Sequence, residues 1–205
     1  MLSVIEVATP EDLAEIARVH IQTFVGYFLS AFGAEFLELY YRNYLSDDNH
    51  ILLTAKEDNR IVGFIAGSAM PDLLEGQILR LNFIRIFRLS LKRLIISGDF
   101  RKQCLERRHF VKRALKAKCA GFFRKDTHNL KSSNTMREIY GGLSSIAVLP
   151  EYRGKGVALS LIKKFEAEMA RKGLGVCALT VTKDNSRAIS FYKKAGWRNQ
   201  IRKDY

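Results

Sequence analysis

Residues 153–158, Arg-Gly-Lys-Gly-Val-Ala, place two glycines and two cations where an apolar segment is predicted to pass into an amphipathic helix. Gly154 and Gly156 let the backbone approach a ligand closely and adopt dihedral angles that are closed to other residues. The free N–H groups and the positive dipole end of the following helix would meet at the same point. Arg153 and Lys155 add charge there. The spacing therefore predicts a site for a phosphate or pyrophosphate group.

Two nucleotide-binding motifs are excluded by this turn. The P-loop requires Ser or Thr after its Gly-Lys pair, whereas Lys155 is followed by Gly156. The dinucleotide-binding fingerprint requires three glycines at set spacing, and the turn has two. A short glycine-rich turn is also compatible with an ordinary strand-to-helix connection. The downstream sequence decides between these alternatives.

Residues 146–158 and 185–197 together resemble the coenzyme A signature of the GNAT acyltransferase superfamily. The first segment reads Ile-Ala-Val-x-Pro-x-Tyr-Arg-x-x-Gly-x-Ala, and the second reads Asn-x-x-Ala-x-x-x-Tyr-x-x-x-Gly-Trp, with Trp where the family pattern has Phe. The two motifs occur in the family's order with one predicted strand between them. The resemblance covers about residues 139–198 and favours a single GNAT-like domain over residues 1–205.

The resemblance implies an N-acyltransferase that takes acetyl-CoA, or another acyl-CoA, as co-substrate and needs no metal. Two central parallel strands would separate and leave backbone groups around Ile146, Ala147 and Val148 free to pair with the pantetheine arm. Asn185 would hydrogen-bond the pantetheine, and it is equally suited to cap a helix. The pyrophosphate would lie on the turn formed by Arg153, Gly154, Lys155, Gly156, Val157 and Ala158.

Tyr192 is the general acid that the resemblance implies. A tyrosine has an ordinary pKa of about 10, against about 8.5 for a cysteine thiol, so its hydroxyl stays protonated at neutral pH. It is therefore able to donate to a thiolate as that thiolate departs. The alternative is a packing residue whose hydroxyl is tethered to a neighbour.

The general base does not carry over from the family. Many members place a glutamate on the strand before the turn, where this chain has Gly142. Glu138 lies on the same predicted strand and is our base candidate. Glu35, Glu75 and a water relayed by Ser144 are the alternatives that the sequence leaves open.

Hydrophobic periodicity predicts the elements that hold this site. Their order is βα, α, ββ, a helical insertion and βαβαβ, which is a mixed α/β architecture. The resemblance sharpens this to a mixed, mostly antiparallel sheet with splayed parallel strands and flanking helices. The predicted strands are residues 4–8, 51–56, 61–70, 139–149, 176–181 and one from 197, and the predicted helices are 9–24, 34–45, 157–172 and 185–195.

The positive charge is concentrated in residues 71–135, a predicted basic helical insertion with helices at 78–97 and 100–123. The chain carries +13, distributed as −6 over residues 1–70, +11 over residues 71–135 and +8 over the remainder. The insertion is interpreted as a solvated hairpin over the sheet, as a lid whose cations attract a phosphate-bearing acceptor, or as a surface (residues 78–124) on anionic membrane. Nucleic-acid binding is disfavoured because no known nucleic-acid-binding motif accompanies the positive charge.

Cysteine usage indicates a reducing compartment. The three cysteines, Cys104, Cys119 and Cys177, are odd in number, and no Cys/His cluster has metal-ligand spacing. Cys177 lies in a predicted buried strand without an adjacent His, so we assign it to the core and expect direct transfer rather than an acyl-cysteine. With neither a secretory signal nor an apolar span evident, the expected location is the cytoplasm, or a membrane periphery.

The function expected from the sequence is transfer of an acyl group, most simply acetyl, to a small primary amine. An amino sugar or a phosphate-bearing amine would suit the basic insertion. The alternatives are a non-catalytic CoA-binding or membrane-peripheral module and a nucleic-acid-binding protein. A homodimer is compatible with the sequence.

Overall fold

The computed structural model describes residues 3–71, 88, 98 and 140–198, and in them five strands form one sheet with helices on both faces. The strands are β1 (Val4–Val7), β2 (His50–Glu57), β3 (Arg60–Ser68), β4 (Gly141–Val148) and β5 (Cys177–Ala178). The helices are α1 (Leu13–Thr23), α2 (Phe28–Ala31), α3 (Ala34–Arg42), α4 (Val157–Arg171) and α5 (Ser186–Lys194), and short 3-10 turns cover Pro10–Asp12, Asn43–Leu45 and Pro150–Tyr152. Most of the predicted insertion lies outside the described residues.

The sheet order is β1-β2-β3-β4-β5, antiparallel at the first three junctions and parallel at the last. Strands β4 and β5 pair only where Gly141 faces Cys177 and Gly142 faces Ala178. Beyond these two positions β4 continues to Val148 without β5 beside it. The mixed sheet with splayed parallel strands is therefore confirmed.

The two faces of the sheet carry separate cores. Helices α1 and α3 cover one face, where Phe64 of β3 packs with Tyr41. Helix α4 covers the other face and buries Leu161 and Phe165 against Ile65. Because side chains alternate along a strand, the consecutive residues Phe64 and Ile65 serve opposite cores. The sheet is thus held from both sides, and β4 is fixed at the centre of the fold.

His20 of α1 is buried in the core beneath α3, with 3% of its surface exposed. Its Nδ1 lies 2.7 Å from the Tyr41 hydroxyl, and its Nε2 has no hydrogen-bond partner among the described residues. Burial lowers the pKa of His20 to about 4. The imidazole is therefore neutral in the folded protein at neutral pH.

This depressed pKa predicts an acid-sensitive fold. An unfolded histidine has a pKa of about 6.5, so stability that depends on neutral His20 is complete above that pH and is lost as the pH falls towards 4. Because protonation of His20 favours the unfolded state, we expect it to lower the free energy of unfolding by about 2–3 kcal/mol between about pH 7.5 and about pH 4.5. Denaturant titrations of wild type and His20→Gln at both pH values measure it. An equal loss in the non-titrating variant would assign the acid sensitivity to other groups.

None of the helices in the described part of the chain combines the length and apolar composition that crossing a bilayer requires.

Candidate functional site

The first component of the site is the edge of β4 that faces the gap left by β5. The Leu149 amide donates to the Val62 carbonyl of β3 at 2.9 Å. Hydrogen-bonded pairs alternate along an antiparallel ladder, so the backbone of Ala147 also faces β3. By the same alternation, Ile146 and Val148 turn their N–H and C=O groups towards the gap. Two residues of β4 therefore present backbone groups to a ligand that enters there.

The second component is the glycine turn that starts α4. Gly154 and Gly156 have φ values of +78° and +82°, which are left-handed and strained for residues with a side chain. Gly156 is the N-cap of α4; it supplies no side-chain hydrogen bond, and no acidic residue stands in the first turn. A Cβ atom at either glycine would have nothing within 4 Å among the described residues. The start of α4 therefore faces open space with its N–H groups uncompensated.

Three cations surround this helix start. Arg153 donates from Nε to the Val148 carbonyl at 3.1 Å, and Lys155 Nζ lies 4.8 Å from the centre of the Tyr152 ring. Burial and the neighbouring Arg187 guanidinium lower the pKa of Arg153. In the described part of the chain, no ion pair joins these three cations to a carboxylate. Positive charges held together in this way favour the binding of an anion.

Sequence reasoning missed Arg187, although a signal was present. The residue lies two positions after Asn185, in the first turn of α5. A cation there opposes the helix dipole, so its position is unfavourable unless an anion lies nearby. The placement of Arg187 beside Arg153 comes from the packing of α5 against the β4–α4 junction, which short motifs do not encode.

Asn185 is the N-cap of α5, with Oδ1 accepting a hydrogen bond from the Ala188 amide at 3.1 Å. The oxygen is thus engaged in holding the helix. The Nδ2 group remains as the donor that a bound ligand would meet. The capping alternative raised by the sequence is confirmed, and it leaves a donor for a second role.

Tyr192 is half-buried on α5, with its ring centre 5.3 Å from that of Phe191 and 5.7 Å from that of Trp197. Trp197 in turn donates from Nε1 to Glu166 of α4 at 2.8 Å, which ties the end of α5 to the core. Burial raises the pKa of Tyr192 to about 12. Its hydroxyl has no hydrogen-bond partner among residues 3–71 and 140–198, so it is a protonated donor without an acceptor.

Gly142, where the family pattern has a glutamate, is blocked by packing. A Cβ atom there would lie 2.8 Å from Pro71 Cβ, closer than real side chains approach. Of the base candidates, Glu138 and Glu75 lie outside the described residues, and Glu35 is exposed in the first turn of α3.

Replacing Gly142 by alanine is expected to destabilise the fold by about 1–3 kcal/mol, because the added methyl group overpacks against Pro71. Gly175→Ala is the matched control, since its Cβ would meet nothing within 4 Å and its backbone is not left-handed. Denaturant unfolding of both variants measures the difference. Equal stabilities would show that Pro71 yields and that a side chain fits at position 142.

Cys177 is half-buried, and burial followed by the charge of Glu166 raises the pKa of its thiol. A raised pKa keeps the sulfur protonated and poorly nucleophilic. No group of three or more His, Cys, Asp or Glu side chains in the described ranges could hold a metal ion. The site therefore lacks an evident covalent nucleophile or metal centre within the residues that the structure describes.

A β-bulge in β4 places two further hydroxyls beside the gap. Ser145 pairs with Ala66 and Leu143 with Gly67, so Ser144 is an extra residue in the strand. Ser144 is exposed and Ser145 is buried. Burial raises the pKa of Tyr44 and of Tyr41 well above the ordinary value, and the nearby side chains of Ser144 and Ser145, respectively, oppose that shift. The sequence placed Tyr41 and Tyr44 only in the predicted helix 34–45, because their proximity to the serines depends on how the helix packs on the sheet.

Comparison with known proteins agrees with this geometry. Residues 98–197 match the Acetyltransferase (GNAT) family. An uncharacterized N-acetyltransferase, YobR of Bacillus subtilis, is 37% identical over 82 residues, which cover 38% of this chain and 33% of that protein. Thialysine N-epsilon-acetyltransferase of Mus musculus is 37% identical over 65 residues, covering 32% of this chain and 37% of that protein. The matched segments thus span about a third of the length of these curated relatives.

Solved structures share the fold along nearly the whole chain. AAC(6')-Iy in complex with the bisubstrate analogue CoA-S-monomethyl-acetylneamine has a TM-score of 0.60 at 15% identity, with 100% of this chain and 97% of that chain covered. The aminoglycoside 6'-N-acetyltransferase AAC(6')-IG from Acinetobacter haemolyticus has a TM-score of 0.57 at 14% identity, with 98% and 95% covered. The splayed sheet and the glycine-started helix thus define a GNAT-type fold. The chain is therefore similar to the GNAT acetyltransferases over residues 98–197, just under half of its length.

Proposed function

We propose that the protein is an acyl-CoA-dependent N-acyltransferase that moves an acetyl group directly to a small primary amine. The observation that carries the proposal is the continuity of β4 and α4. The open edge of the strand leads straight into a helix start that has neither a capping side chain nor an acidic residue. A ligand with an amide-containing arm and a pyrophosphate at one end matches this arrangement, in which backbone groups of a strand are followed by the free N–H groups of a helix start.

The amide-containing arm would pair with the backbone of Ile146 and with the N–H of Val148, beside Ala147, as an added strand in the gap, since the Val148 carbonyl already accepts from Arg153. Asn185 Nδ2 would donate to the arm from the opposite side. The pyrophosphate would accept hydrogen bonds from the amides of the turn, from Gly154 and Gly156 to Val157 and Ala158. Acetyl-CoA has both parts in this order, so its thioester would lie towards the centre of the sheet.

The three cations at the helix start would neutralise the phosphates of the same co-substrate. Burial and the nearby Arg187 guanidinium lower the pKa of Arg153, and Lys155 follows in the same turn. Guanidinium groups bind phosphate through paired hydrogen bonds. A bound polyanion would offset the repulsion between Arg153 and Arg187. This gain would contribute to a preference of the protein for phosphorylated acyl donors.

The reaction would proceed in a ternary complex. The amine nitrogen attacks the thioester carbonyl, the new C–N bond forms, and the C–S bond breaks as the thiolate leaves. Tyr192 would donate its proton to that sulfur, the attacking nitrogen would release its surplus proton to solvent, and Tyr192 would regain a proton from solvent. Cys177 takes no part because its protonated thiol is a weak nucleophile.

The acceptor class is proposed from chemistry and from the relatives. Thialysine N-epsilon-acetyltransferase and the aminoglycoside acetyltransferases are named for primary-amine substrates. An amino sugar or a phosphate-bearing amine would suit the net charge of +11 that residues 71–135 add to the same domain. A cytoplasmic location is part of the proposal.

Calorimetry with acetyl-CoA and a thiol-release screen of amines test the proposed function together. The panel contains thialysine, lysine, neamine, sisomicin and glucosamine 6-phosphate, each with acetyl-CoA. We expect acetyl-CoA binding without an acceptor and thiol release with at least one amine. Binding without release from any of the panel would favour a non-catalytic CoA-binding module, and absence of binding would contradict the donor site itself.

A further inference from the structure

The far end of the gap between β4 and β5 is closed by strand pairing. The two strands are paired at Gly141 and Gly142, and the Gly141 amide donates to the Val176 carbonyl at 2.8 Å. An arm that starts at the glycine turn and runs back along β4 brings its thioester towards this junction. Because the paired strands block the way ahead, an acyl chain longer than the gap allows has to turn towards one face of the sheet.

The face covered by α4 is filled at this junction. A Cβ atom on Gly141 would lie 2.8 Å from the Sδ atom of Met169. Leu143, two residues further along β4, is buried in the same core as Phe165 and Met169, and both of these side chains are 0% exposed. Extra methylene groups are costly in an interior packed to this density. A lengthening acyl chain is therefore kept out of this face.

Pro71 closes the opposite face at the same junction. Because side chains alternate along a strand, Gly142 is directed away from α4. A Cβ atom on Gly142 would lie 2.8 Å from Cβ and 3.2 Å from Cγ of Pro71. Gly142 and Pro71 are both half-buried, whereas Met169 on the α4 face is fully buried. The Pro71 ring is thus the group that a lengthening acyl chain meets on the more open of the two faces.

Hydrogen bonds at the end of β3 hold Pro71 in this position. Ser68 pairs with Gly142 across the sheet, and its Oγ atom accepts from the Met70 amide at 2.9 Å. His50 Nδ1 lies 2.9 Å from the same oxygen atom. Ser68 is 0% exposed and His50 is 7% exposed, so both groups are shielded from water. These contacts fix the chain that leads from β3 to Pro71 and keep the proline ring against Gly142.

We propose that Pro71 limits the acyl donor to a two-carbon group, and that Ser68 is a positioning residue that acts through Pro71. The inference rests on the proposed acyl transfer and assigns the residues that select its donor. The methyl group of an acetyl donor lies at the end of the gap, beside the Pro71 ring. Each further methylene group has to displace that ring or enter the core beneath α4.

A series of acyl donors tests this limit in the full-length protein. Acetyl-, propionyl-, butyryl- and hexanoyl-CoA are compared with the amine of the panel that is acetylated fastest. Wild type is expected to lose at least about 10-fold in kcat/KM with each methylene group up to butyryl-CoA. Pro71→Gly removes the ring and is expected to lower the acetyl-to-butyryl ratio of kcat/KM at least about 10-fold. Ser68→Ala keeps the ring but loosens its support, so the ratio should fall by about threefold.

Pro10→Gly is the matched control for Pro71→Gly. Pro10 follows the end of β1 at Val7, and Pro71 follows the end of β3 at Ser68, each by three positions. Strand β1 lies at the edge of the sheet opposite β5, so Pro10 is remote from the junction of β4 and β5. Both substitutions exchange a proline for glycine after a strand. The acetyl-to-butyryl ratio of Pro10→Gly should therefore equal that of wild type.

The outcomes separate the donor limit from the function on which it rests. Equal or higher kcat/KM with butyryl-CoA in wild type, or a wild-type ratio in Pro71→Gly, would overturn the limit and leave the acyltransferase standing. An equal change in Pro10→Gly would overturn it in the same way. A wild-type protein that transfers no acyl group to any amine of the panel would overturn the proposed function as well. Thermal midpoints establish which variants are folded, and the wild-type series with Ser68→Ala decides the question if Pro71→Gly is not.

Discussion

Replacing Gly156 by aspartate is expected to weaken acetyl-CoA binding at least about 100-fold while leaving the fold intact. Gly156 is the N-cap of α4, at the centre of the proposed pyrophosphate site. A carboxylate about 4 Å from a phosphate charge at a protein surface costs about 4 kcal/mol, and each 1.4 kcal/mol is tenfold in affinity. Calorimetric titration with acetyl-CoA measures the effect, which should diminish as salt is added.

The matched control is Gly156→Asn, which has almost the same shape and no charge. Asparagine and aspartate both tolerate positive φ, as Asp58 and Asn59 do in the β2–β3 hairpin at φ values of 50° and 62°. Both side chains also cap helix starts, so the two variants should unfold alike. We expect Gly156→Asn to bind acetyl-CoA within about tenfold of wild type. Equal losses in both variants would assign the effect to shape and would contradict a phosphate at this helix start.

Local sequence was sufficient for the donor side of this site. The turn at Gly154 and Gly156 and the cap at Asn185 depend on residues within a few positions of each other, and the structure has the turn, the cap and both helices close to their predicted bounds. Backbone geometry of this kind is encoded by short motifs, because glycine and asparagine each favour particular dihedral angles or caps.

Strand length shows where local pattern fails. The apolar segment 176–181 predicts a six-residue strand, whereas β5 is only Cys177–Ala178. A strand needs a neighbour, and β4 has separated from β5 after Gly142. Val176 is also 53% exposed, and no residue of 176–181 is buried, so the prediction of a buried strand is wrong in burial as well as in length. Hydrophobicity did not reveal the position at which pairing ends, which is the feature that opens the site.

The acceptor side depends on contacts between distant residues. Gly142 looked like a missing base, but Pro71 packs where its side chain would lie. Tyr44 was predicted only as part of the helix 34–45, and the fold places it near Ser144 of β4. Neither contact can be read from the spacing of residues. The segments concerned lie up to about a hundred positions apart in the sequence, and only the sheet brings them together.

The second prediction with a large effect concerns Tyr192→Phe, which is expected to lower kcat about 100-fold with the acetyl-CoA Kd unchanged. Phenylalanine keeps the ring between Phe191 and Trp197, so the packing is preserved. The lost hydroxyl has no partner within the described residues, and its removal should leave the thermal midpoint unchanged. With a pKa of about 12, Tyr192 stays protonated throughout the neutral range, so wild type should show no alkaline loss of kcat from this group below about pH 11.

Trp197→Phe is the matched control, which is expected to lower stability and to keep activity. It removes the hydrogen bond to Glu166 that ties α5 to α4, so we expect a lower thermal midpoint with kcat within about threefold of wild type. Stopped assays of thiol release with both variants, alongside thermal unfolding, separate hydroxyl chemistry from packing. If Tyr192→Phe kept wild-type kcat, the hydroxyl would be dispensable and the leaving thiolate would take its proton from water. If both variants lost activity in proportion to stability, Tyr192 would act only by packing, because a proton donor affects the departure of sulfur and not the unfolding of the chain.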